Sequence, residues 1–562
     1  MADCDEKQLK SLSRPHIDSF NYSFSPEGLS NFVKYFGNFY HSLKDGSKLK
    51  LFLEAIEIEK PRITRSGQEC SVFPTECRQR NTTYRGQLLA QIGVKLNGEY
   101  KGCFVKSIGY LPIMVGSSFC NTSNLNENEM YRKGEEVSDP GGYFIVKGFQ
   151  KFLRLLVMYR RNYPICEKKA IWKSRGENFT EYGINMRCVR GDQTAASTIF
   201  HHLIDDSVVI CIVYQKELFF VPILLIMKCL INCTDYSLLK FMLQWEPNNK
   251  QYESSIIQML FSLADNSVFT RQDALKFIGQ RFRHKTDCPE WFSNEKIGKY
   301  IIKNLIAIHL DNNNDKLSFL AYVYHKLFRF ANGHIEAENS DSISYQEVLT
   351  PGNMIQIVLK ERLTKWFEYL INSIEAKSSS ITLANCDLNS ISNIASGVVD
   401  ISQSIEYFFS TGNFSTKNSY GLRQLSGFVM QADYINFTMF ISNFCAIHRG
   451  TSFSGTTNTN VRKLLPSHWG FICPLNTPDG DPCGLLNYLT YCSSICFANF
   501  DKNIIRKFLH ANQVLPISIG DEIESFSDNS YINVILDGIV IGKTSLDNAR
   551  KLKRIIRVMR IK

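Results

Sequence analysis

Residues 465–489 read LPSHWGFICPLNTPDGDPCGLLNYL. This stretch is mostly apolar, is dense in proline and glycine, and follows neither the helical nor the strand period of hydrophobicity. It is therefore predicted to be a loop with a fixed path, packed against a core, and loops of that kind often carry function. Side chains that suit contact with phosphate lie in it or just before it, namely His448, Arg449, Arg462, Lys463 and His468.

Two acids in the same loop raise the alternative of a metal site. Asp479 and Asp481 flank Gly480, and paired carboxylates can hold Mg²⁺. The run Thr477-Pro478-Asp479-Gly480 also fits a type I turn, with proline in the second position and glycine in the fourth. We favour the turn. The sequence contains no P-loop, HExxH or GxSxG motif, so neither a metal ligand nor a catalytic residue is predicted in this chain.

Composition and charge bound the class of protein. The chain has 562 residues, of which 44% are hydrophobic and 21% charged. These values indicate several globular domains and exclude wholesale disorder. The formal net charge of +10 is concentrated in two segments, because residues 147–175 carry a net +8 and residues 543–562 a net +7. Such patches are typical of surfaces that meet nucleic acid, and a solvated basic face is the alternative.

The pattern of apolar residues predicts an α+β protein. Residues 50–220 indicate short strands, and residues 235–330 indicate helices. A long amphipathic helix is predicted over 353–374, with Thr350 as its N-cap and Pro351 in its first turn. Three further predictions are a linker over 376–396, a helical region over 428–447, and strands over 515–519 and 532–541.

Seventeen cysteines are scattered along the chain without a CxxC pair, so neither a zinc ribbon nor a disulfide framework is indicated. The most apolar stretch, residues 218–231, is too short to span a bilayer and is interrupted by Pro222 and Lys228. The N-terminus lacks the apolar run of a secretory signal. The sequence predicts a soluble, intracellular protein with no membrane partner.

Residues 468–489 resemble the fork segment in the second-largest subunit of multisubunit DNA-directed RNA polymerases. In that family HWG is followed by CP, by TP-acid-G, by GL and by Asn. Here the order is matched by residues 468–470, 473–474, 477–480, 484–485 and Asn487.

Further matches, in family order, narrow the resemblance to RNA polymerase I, the enzyme that makes the ribosomal RNA precursor. They are PHIDSFN (15–21), VFP (72–74), ECR (76–78), TYRG (83–86), PIMV (112–115), GGYFIV (141–146), RRNYP (160–164), WKSRG (172–176), QEVLTPG (346–352), TGN (411–413), HRG (448–450) and VRKLLP (461–466). The matches extend along most of the chain, which makes them far more specific than any single motif.

The resemblance implies a multidomain layout in which a mixed protrusion domain contains an inserted, helix-rich lobe. A fork region and the start of an external domain follow. The implied limits are 1–14 for an N-terminal tail, 15–190 and 365–427 for the protrusion, 191–364 for the lobe, 428–497 for the fork and 498–562 for the truncated external domain.

The resemblance also implies two sets of functional side chains. Those expected to contact nucleic acid are Arg160, Arg161, Arg449, Arg462 and Lys463. Those expected to form the fork at the active centre are His468, Asn476, Thr477, Pro478, Asp479, Gly480 and Asn487.

By this resemblance the chain is part of DNA-dependent RNA polymerase I in the nucleus and nucleolus. It is expected to line the DNA cleft during templated synthesis of ribosomal RNA precursor from NTPs. Its expected partners are the largest subunit, the other RNA polymerase I subunits, the DNA template and the RNA–DNA hybrid. Mg²⁺ is expected on the largest subunit, and the family's zinc site in a C-terminal half that this sequence does not contain. The chain alone is expected to be inactive, and the alternative is a truncated paralogue that acts in assembly or binds nucleic acid without catalysis.

Five positions depart from the family pattern. Lys147 stands where Asn is usual, Gln150 where Glu is usual, Leu425 where an acid is usual, and Cys445 and Thr457 where Arg is usual. The loss of two arginines near the fork weakens the expectation of nucleic-acid contacts there.

Overall fold

The computed structural model of the protein describes most of the chain. The described ranges are 2–43, 46–65, 67–215, 217–286, 288–377, 388–416, 420–422, 424–455, 459–496, 501–517 and 531–561. Within them the α-helices are α1 (Ala2–Ser23), α2 (Pro26–Phe36), α3 (Pro74–Gln79), α4 (Glu127–Lys133), α5 (Ile223–Leu230), α6 (Asp235–Leu243), α7 (Lys250–Asp265), α8 (Arg271–Phe282), α9 (Asn294–Leu305), α10 (Asn313–Ala331), α11 (Pro351–Ala376), α12 (Leu388–Ser396), α13 (Ser402–Thr411), α14 (Phe437–Cys445), α15 (Lys502–Ala511) and α16 (Leu546–Ile561).

The strands are β1 (Asn38–Ser42), β2 (Lys48–Ile58), β3 (Arg62–Arg65), β4 (Gln68–Ser71), β5 (Arg85–Leu96), β6 (Glu99–Pro112), β7 (Phe144–Val146), β8 (Phe149–Leu153), β9 (Leu155–Tyr159), β10 (Ile165–Lys168), β11 (Phe179–Val189), β12 (Ala195–Leu203), β13 (Val208–Tyr214), β14 (Glu217–Pro222), β15 (Gln346–Leu349), β16 (Val429–Gln431), β17 (Ala446–His448), β18 (Leu486–Tyr488), β19 (Tyr531–Leu536) and β20 (Ile539–Ser545). The larger sheets have the strand orders β1-β2-β5-β6, β10-β11-β12-β13-β14 and β15-β9-β17-β18. The mixture of helices and sheets confirms the α+β class.

A first hydrophobic core joins the beginning of the chain to its middle. It contains buried side chains from Phe20 to Met158 and again from Leu349 to Phe444. Helix α11 crosses α1 so closely that a Cβ on Gly352 would lie 2.1 Å from the backbone oxygen of Ser19. Only glycine fits that crossing, and it brings the start of α11 against the end of α1.

A second core lies between these two parts in sequence. It is formed by the sheet β10–β14 and helices α5–α10, with buried side chains from Cys166 to Phe330 and an additional contact from Val540. The chain therefore leaves the first core near residue 160 and returns to it near residue 349. A helix-rich unit is inserted into a unit of mixed structure.

Several sequence predictions can be compared with these elements. The strands expected from the pattern are confirmed in β5, β7, β13, β19 and β20. The strand expected over 515–519 is not formed in residues 515–517, where Leu515 makes only an isolated bridge to Lys543; residues 518–519 lie outside the described ranges. The long helix is confirmed as α11, which begins at Pro351 after Thr350, although the Thr350 side chain makes no capping hydrogen bond.

Two of those predictions were wrong in part. The segment 376–396 is not all linker, because α12 covers Leu388–Ser396 and buries Ile391, Ile394 and Ala395; residues 378–387 lie outside the described ranges. The region 428–447 is helical only in α14, since β16 and β17 flank that helix and pair with β8 and β9. In both cases short apolar runs left helix, strand and loop hard to distinguish.

The departure at Lys147 lies in a turn that explains why the family has Asn there. Lys147 and Gly148 join β7 to β8, with φ angles of 51° and 81°. Two successive positive φ angles define the hairpin turn that favours Asn-Gly. Lysine occupies this conformation at a cost that asparagine would reduce.

No helix in the described part of the chain is both long enough and apolar enough to cross a membrane.

Candidate nucleic-acid interface

The loop between β17 and β18, residues 449–485, is the fork loop, and it starts and ends in the same small sheet. β17 pairs in parallel with β9, and β18 pairs antiparallel with β17. β15 lies on the other side of β9. The segment between β17 and β18 is therefore held at both ends by a sheet that also includes strands close to the first core. This arrangement is why a loop with so little regular structure has a fixed path.

The same sheet borders a cavity of about 820 Å³. Four of the predicted site residues line it, because Arg160 and Arg161 follow β9, Arg449 follows β17 and Asn487 lies in β18. Other parts of the wall come from α1, α2, the start of α11, the turn after β11, residues 493–496, Lys502 of α15 and the β19–β20 hairpin. Cationic side chains outnumber acidic ones in this wall, where the acids are Glu347 and Asp537.

Arg160 and Arg161 are adjacent in sequence but differ in environment. Arg160 is exposed, donates to the backbone oxygen of Ser344 at 3.3 Å, and lies 5.1 Å from the ring of Tyr163. Arg161 instead donates through Nε to both carboxylate oxygens of Glu347, at 3.1 and 2.9 Å. Arg160 is thus open to a phosphate, whereas Arg161 is already paired with a carboxylate.

Glu347 also binds a second arginine. Arg187, which is 3% exposed, donates to its Oε1 at 2.5 Å, and the backbone N–H of Arg161 donates to its Oε2 at 3.1 Å. Glu347 is largely buried, and the two guanidinium charges outweigh that burial, so that the pKa of its carboxyl group is lowered. This carboxylate fixes the positions of both β9 and β11 relative to β15.

Arg449 is buried and reaches Asp341 rather than solvent. Its Nη1 lies 3.2 Å from Oδ1 of Asp341, and burial lowers the pKa of the guanidinium. His468, also buried, points to the backbone oxygen of the same Asp341 at 3.3 Å. Two predicted site residues therefore converge on one acid. Their observed contacts hold the fork loop against the segment that precedes β15.

Arg462 and Thr477 fix the internal path of the loop. Arg462 donates to the backbone oxygens of Asp481 at 2.6 Å and Cys483 at 2.8 Å. The Thr477 hydroxyl donates to the oxygen of Leu486 and accepts from the N–H of Gly484, both at 2.9 Å. A segment without a sheet partner needs such bonds to fix its path, since no strand pairing specifies it.

The tip of the loop contains four more of the predicted residues. Asn476 and Asp479 are exposed and Pro478 is half-buried. Gly480 has a φ of 80° and its oxygen accepts from the N–H of Cys483 at 3.0 Å, so a hydrogen-bonded turn lies three residues further along than the predicted one.

The remaining two predicted residues lie apart from the tip. Asn487 donates to the oxygen of Gly484 at 3.0 Å. Lys463 is exposed and donates to the side chain of Asn460 at 3.0 Å. Lys463 is therefore as accessible to a phosphate as Arg160, while Asn487 has a structural contact.

In the described part of the chain no three His, Cys, Asp or Glu side chains lie close enough together to hold a metal ion. The departure at Thr457 lies outside the described residues. At Cys445 the side chain is half-buried at the end of α14, and burial raises the pKa of its thiol.

Sequence reasoning missed the two acids that organise the interface, Glu347 and Asp341. Glu347 belongs to the matched segment 346–352, so the resemblance could have marked it as a functional residue. The sequence could not indicate its partners, because Arg161 and Arg187 lie 186 and 160 residues away from it. No local signal in the sequence indicates such a contact.

The two histidines of the fork are neutral, and this makes the fork sensitive to acid. The Nδ1 atoms of His448 and His468 accept hydrogen bonds from the N–H groups of Gly450 and Leu465. Burial lowers the pKa of His448 to about 4 and also lowers that of His468. The unfolded chain would bind protons from pH 6.5 downward, so stability should fall as the pH falls from about 6.5 to about 4.

We therefore expect the free energy of unfolding to decrease between pH 7 and pH 5, where most carboxylates stay ionised in both states. His448→Gln should reduce the slope of this free energy against pH by up to about 1 kcal/mol per pH unit. Urea titrations at successive pH values measure it. An unchanged slope in the variant would show that His448 is not kept neutral by the fold.

Two segments of the chain match known protein families. Residues 11–396 match the family described as RNA polymerase beta subunit, and residues 430–495 match RNA polymerase Rpb2, domain 3. The first match covers most of both cores, and the second covers the fork loop with β17 and β18.

Curated relatives show the same relationship. The chain is 35% identical over 549 residues to DNA-directed RNA polymerase I subunit RPA2 of Homo sapiens, covering 96% of this chain and 47% of the relative. It is 34% identical to the subunit of the same name from Drosophila melanogaster (97% and 48%) and 30% identical to the probable subunit from Schizosaccharomyces pombe (98% and 48%). The chain spans about half the length of the curated relatives it matches. The chain belongs to the RNA polymerase beta subunit family.

Proposed function

We propose that this chain lines the DNA cleft of an RNA polymerase I as part of its second-largest subunit. The observation that carries the proposal is the exposed Arg160, which follows β9 of the sheet β15-β9-β17-β18 and lines a cavity whose wall is net basic. A cation in that position attracts a phosphate backbone without reading base sequence. The related proteins are named as subunits of DNA-directed RNA polymerase I, and the proposal extends that role to this chain.

The reaction of such an assembly is the templated addition of ribonucleoside monophosphate from NTP, with release of pyrophosphate. The metal ion of that reaction is Mg²⁺, and the proposal places it on the largest subunit. The contribution of this chain is steric and electrostatic. It holds the fork loop in a fixed position and presents Arg160 and Lys463 to nucleic acid.

The domain limits belong to the same proposal. The expected limits put the end of the first protrusion segment at 190 and the end of the lobe at 364. The two cores support moving these limits towards 160 and 349, because residues from Cys166 onward pack with the second core and residues from Leu349 onward pack with the first. By the same criterion the start of the fork moves from 428 towards 445, because the buried side chains from Phe428 to Phe444 pack with the first core. The expected end of the fork at 497 and the external domain from 498 are retained in the proposal.

Exposed apolar side chains on the fork support a protein partner. Trp469 is 64% exposed, Phe471 52% and Leu475 89%. Large apolar groups grouped in one loop are characteristic of surfaces that another protein covers. We assign this surface to the largest subunit of the polymerase, in the nucleus and nucleolus where ribosomal RNA is made.

The proposal predicts that Arg160→Glu weakens DNA binding by the full chain. We expect roughly a tenfold loss of affinity for a bubble-containing duplex at low salt and a salt dependence reduced by about one phosphate contact. Fluorescence anisotropy at salt concentrations between about 50 and 200 mM measures both.

Lys463→Glu should act in the same direction as Arg160→Glu. The matched control is Arg132→Glu, an exposed arginine on α4 that does not line the cavity. Equal effects of Arg160→Glu and Arg132→Glu would contradict the assignment.

A further inference from the structure

A second cavity of about 320 Å³ lies in the helix-rich unit, and the charged residues of its wall are mostly cations. It opens between α5, α8, α9 and the start of α10. The charged side chains in its wall are Arg190, Arg271, Lys299, Lys303, Lys316 and the single acid Asp311.

The inner end of the cavity contains two cations that are almost completely buried. Lys316 is 2% exposed and Arg190 is 8% exposed. Burial lowers the pKa of Lys316 to about 8, and the nearby charges of Arg190 and Lys303 act in the same direction. Nε of Arg190 has no hydrogen-bond acceptor among the described residues. These cations repel one another and are partly compensated by Asp311, whose charge acts on both, and by Asp192, which lies 3.8 Å from Nε of Arg190.

Some of this charge has a structural role. Lys316 donates to the oxygens of Ile302 and Ile306 at the end of α9, at 2.9 and 2.8 Å, and Arg271 donates through Nε to the oxygen of Cys229 at the end of α5. Cations at helix C-termini are favourable. A lysine has three N–H donors and an arginine five, so these bonds leave donors available in the wall.

The one acid in the wall is already bound. Oδ2 of Asp311 accepts from Tyr35 at 2.7 Å and from Lys34 at 3.2 Å. At the mouth, Lys299 and Lys303 lie one helical turn apart, where like charges destabilise a helix. Lys299 forms an ion pair with Glu295, and Lys303 is exposed. Excess positive charge is therefore present at both the inner end and the mouth.

We propose that this cavity binds a diphosphate group, either free or carried by a nucleoside. Phosphoryl oxygens accept the remaining donors, and two linked phosphoryl groups can contact the buried cations and the exposed ones at the same time. The apolar part of the wall, which includes Leu275, Ile302 and Leu310, provides contact for an organic portion. The proposal does not depend on the polymerase assignment.

The test uses the full chain with inorganic pyrophosphate and, separately, ADP, measured by calorimetry at low salt. Lys303→Glu should weaken pyrophosphate binding by about tenfold, since it replaces an attraction by a repulsion. Lys303 is exposed, so the variant should fold, and circular dichroism checks this. The matched control is Lys296→Glu, an exposed lysine of the same helix that does not line the cavity. It should change the affinity less than twofold.

The two ligands distinguish the source of the diphosphate. ADP that binds more tightly than pyrophosphate, and is lost in Lys303→Glu, supports a nucleoside ligand. Pyrophosphate that binds more tightly than ADP supports the free anion. The proposal is overturned if neither ligand binds saturably, or if Lys303→Glu and Lys296→Glu weaken binding equally.

Discussion

Glu347→Gln should lower the free energy of unfolding by about 3–5 kcal/mol, the usual cost of removing one partner from a buried ion pair. Glutamine keeps the shape of the side chain but not its charge. Arg161 and Arg187 would then face a neutral amide, and Arg187 is 3% exposed. Urea or guanidinium denaturation of the full chain, followed by circular dichroism, measures the change.

The matched control for this experiment is Glu99→Gln. Glu99 also pairs with a cation, Lys101 at 3.2 Å, but both side chains are well exposed. Exposed pairs contribute little, so a change below about 1 kcal/mol is expected. If the two variants lost the same amount of stability, the Glu347 cluster would not be an anchor of the fold.

The pH dependence of Glu347→Gln gives an independent check. The folded pKa of Glu347 is lowered by its two arginines, so its contribution is complete above the pKa of the unfolded chain, about 4.3 for a glutamate. The contribution is lost as the pH falls below that value. The variant and the unmodified protein should therefore approach the same stability in acid and differ most near neutral pH.

This cluster also changes how reversal of the two adjacent arginines should be interpreted. A loss of DNA binding in Arg161→Glu would not identify a phosphate contact, because the new carboxylate would lie against Glu347. Arg160→Glu avoids this conflict, since the Arg160 guanidinium contacts only a backbone oxygen and a tyrosine ring in its described interactions. The sequence motif alone predicted a nucleic-acid contact for both arginines.

The sequence predicted those parts of the fold that have strong local signals. The period of apolar residues indicated α11, and Pro351 marked its start. The density of proline and glycine in 465–489 indicated a loop with a fixed path. What fixes that path was not predictable, because Arg449 and His468 meet Asp341, more than 100 residues away in sequence. Charge partners at such separations depend on how the sheets pack, and a single sequence does not contain that information.

The site residues differ in the same way. Exposed Arg160 and Lys463 are what a basic motif beside a loop indicates. Arg449 and Arg462 carry the same residue type, but the fold uses their donors for Asp341 and for backbone oxygens of the loop. Residue type alone could not separate the two roles, because burial decides whether an arginine meets solvent or the protein.

Asp192→Asn should have an effect as large as Glu347→Gln, about 3–5 kcal/mol. Asp192 is completely buried and accepts from Lys360, and from the hydroxyl of Thr194 at 2.7 Å. Burial lowers the pKa of Lys360, and the charge of Asp192 opposes that effect. Without the carboxylate, Lys360 would be a buried charge whose main counter-ion is gone, and chemical denaturation should show the loss.

A double-mutant cycle separates the ion pair from packing. Lys360→Met alone should also destabilise, whereas the combination with Asp192→Asn should cost less than the sum by about 2–3 kcal/mol, because it leaves no buried charge uncompensated. The matched cycle uses the exposed pair Lys285 and Glu217, at 2.7 Å, where the coupling should not exceed about 1 kcal/mol. Additive losses at Asp192 and Lys360 would contradict the assignment.

The ion pair between Lys360 and Asp192 joins two parts of the fold. Lys360 lies in α11 of the first core, and Asp192 lies in the turn between β11 and β12, at the edge of the second. The pair therefore links the two units. If the link is as strong as its burial implies, Asp192→Asn should also separate the unfolding of the helix-rich unit from that of the first core. A single transition in the unmodified protein would then become two.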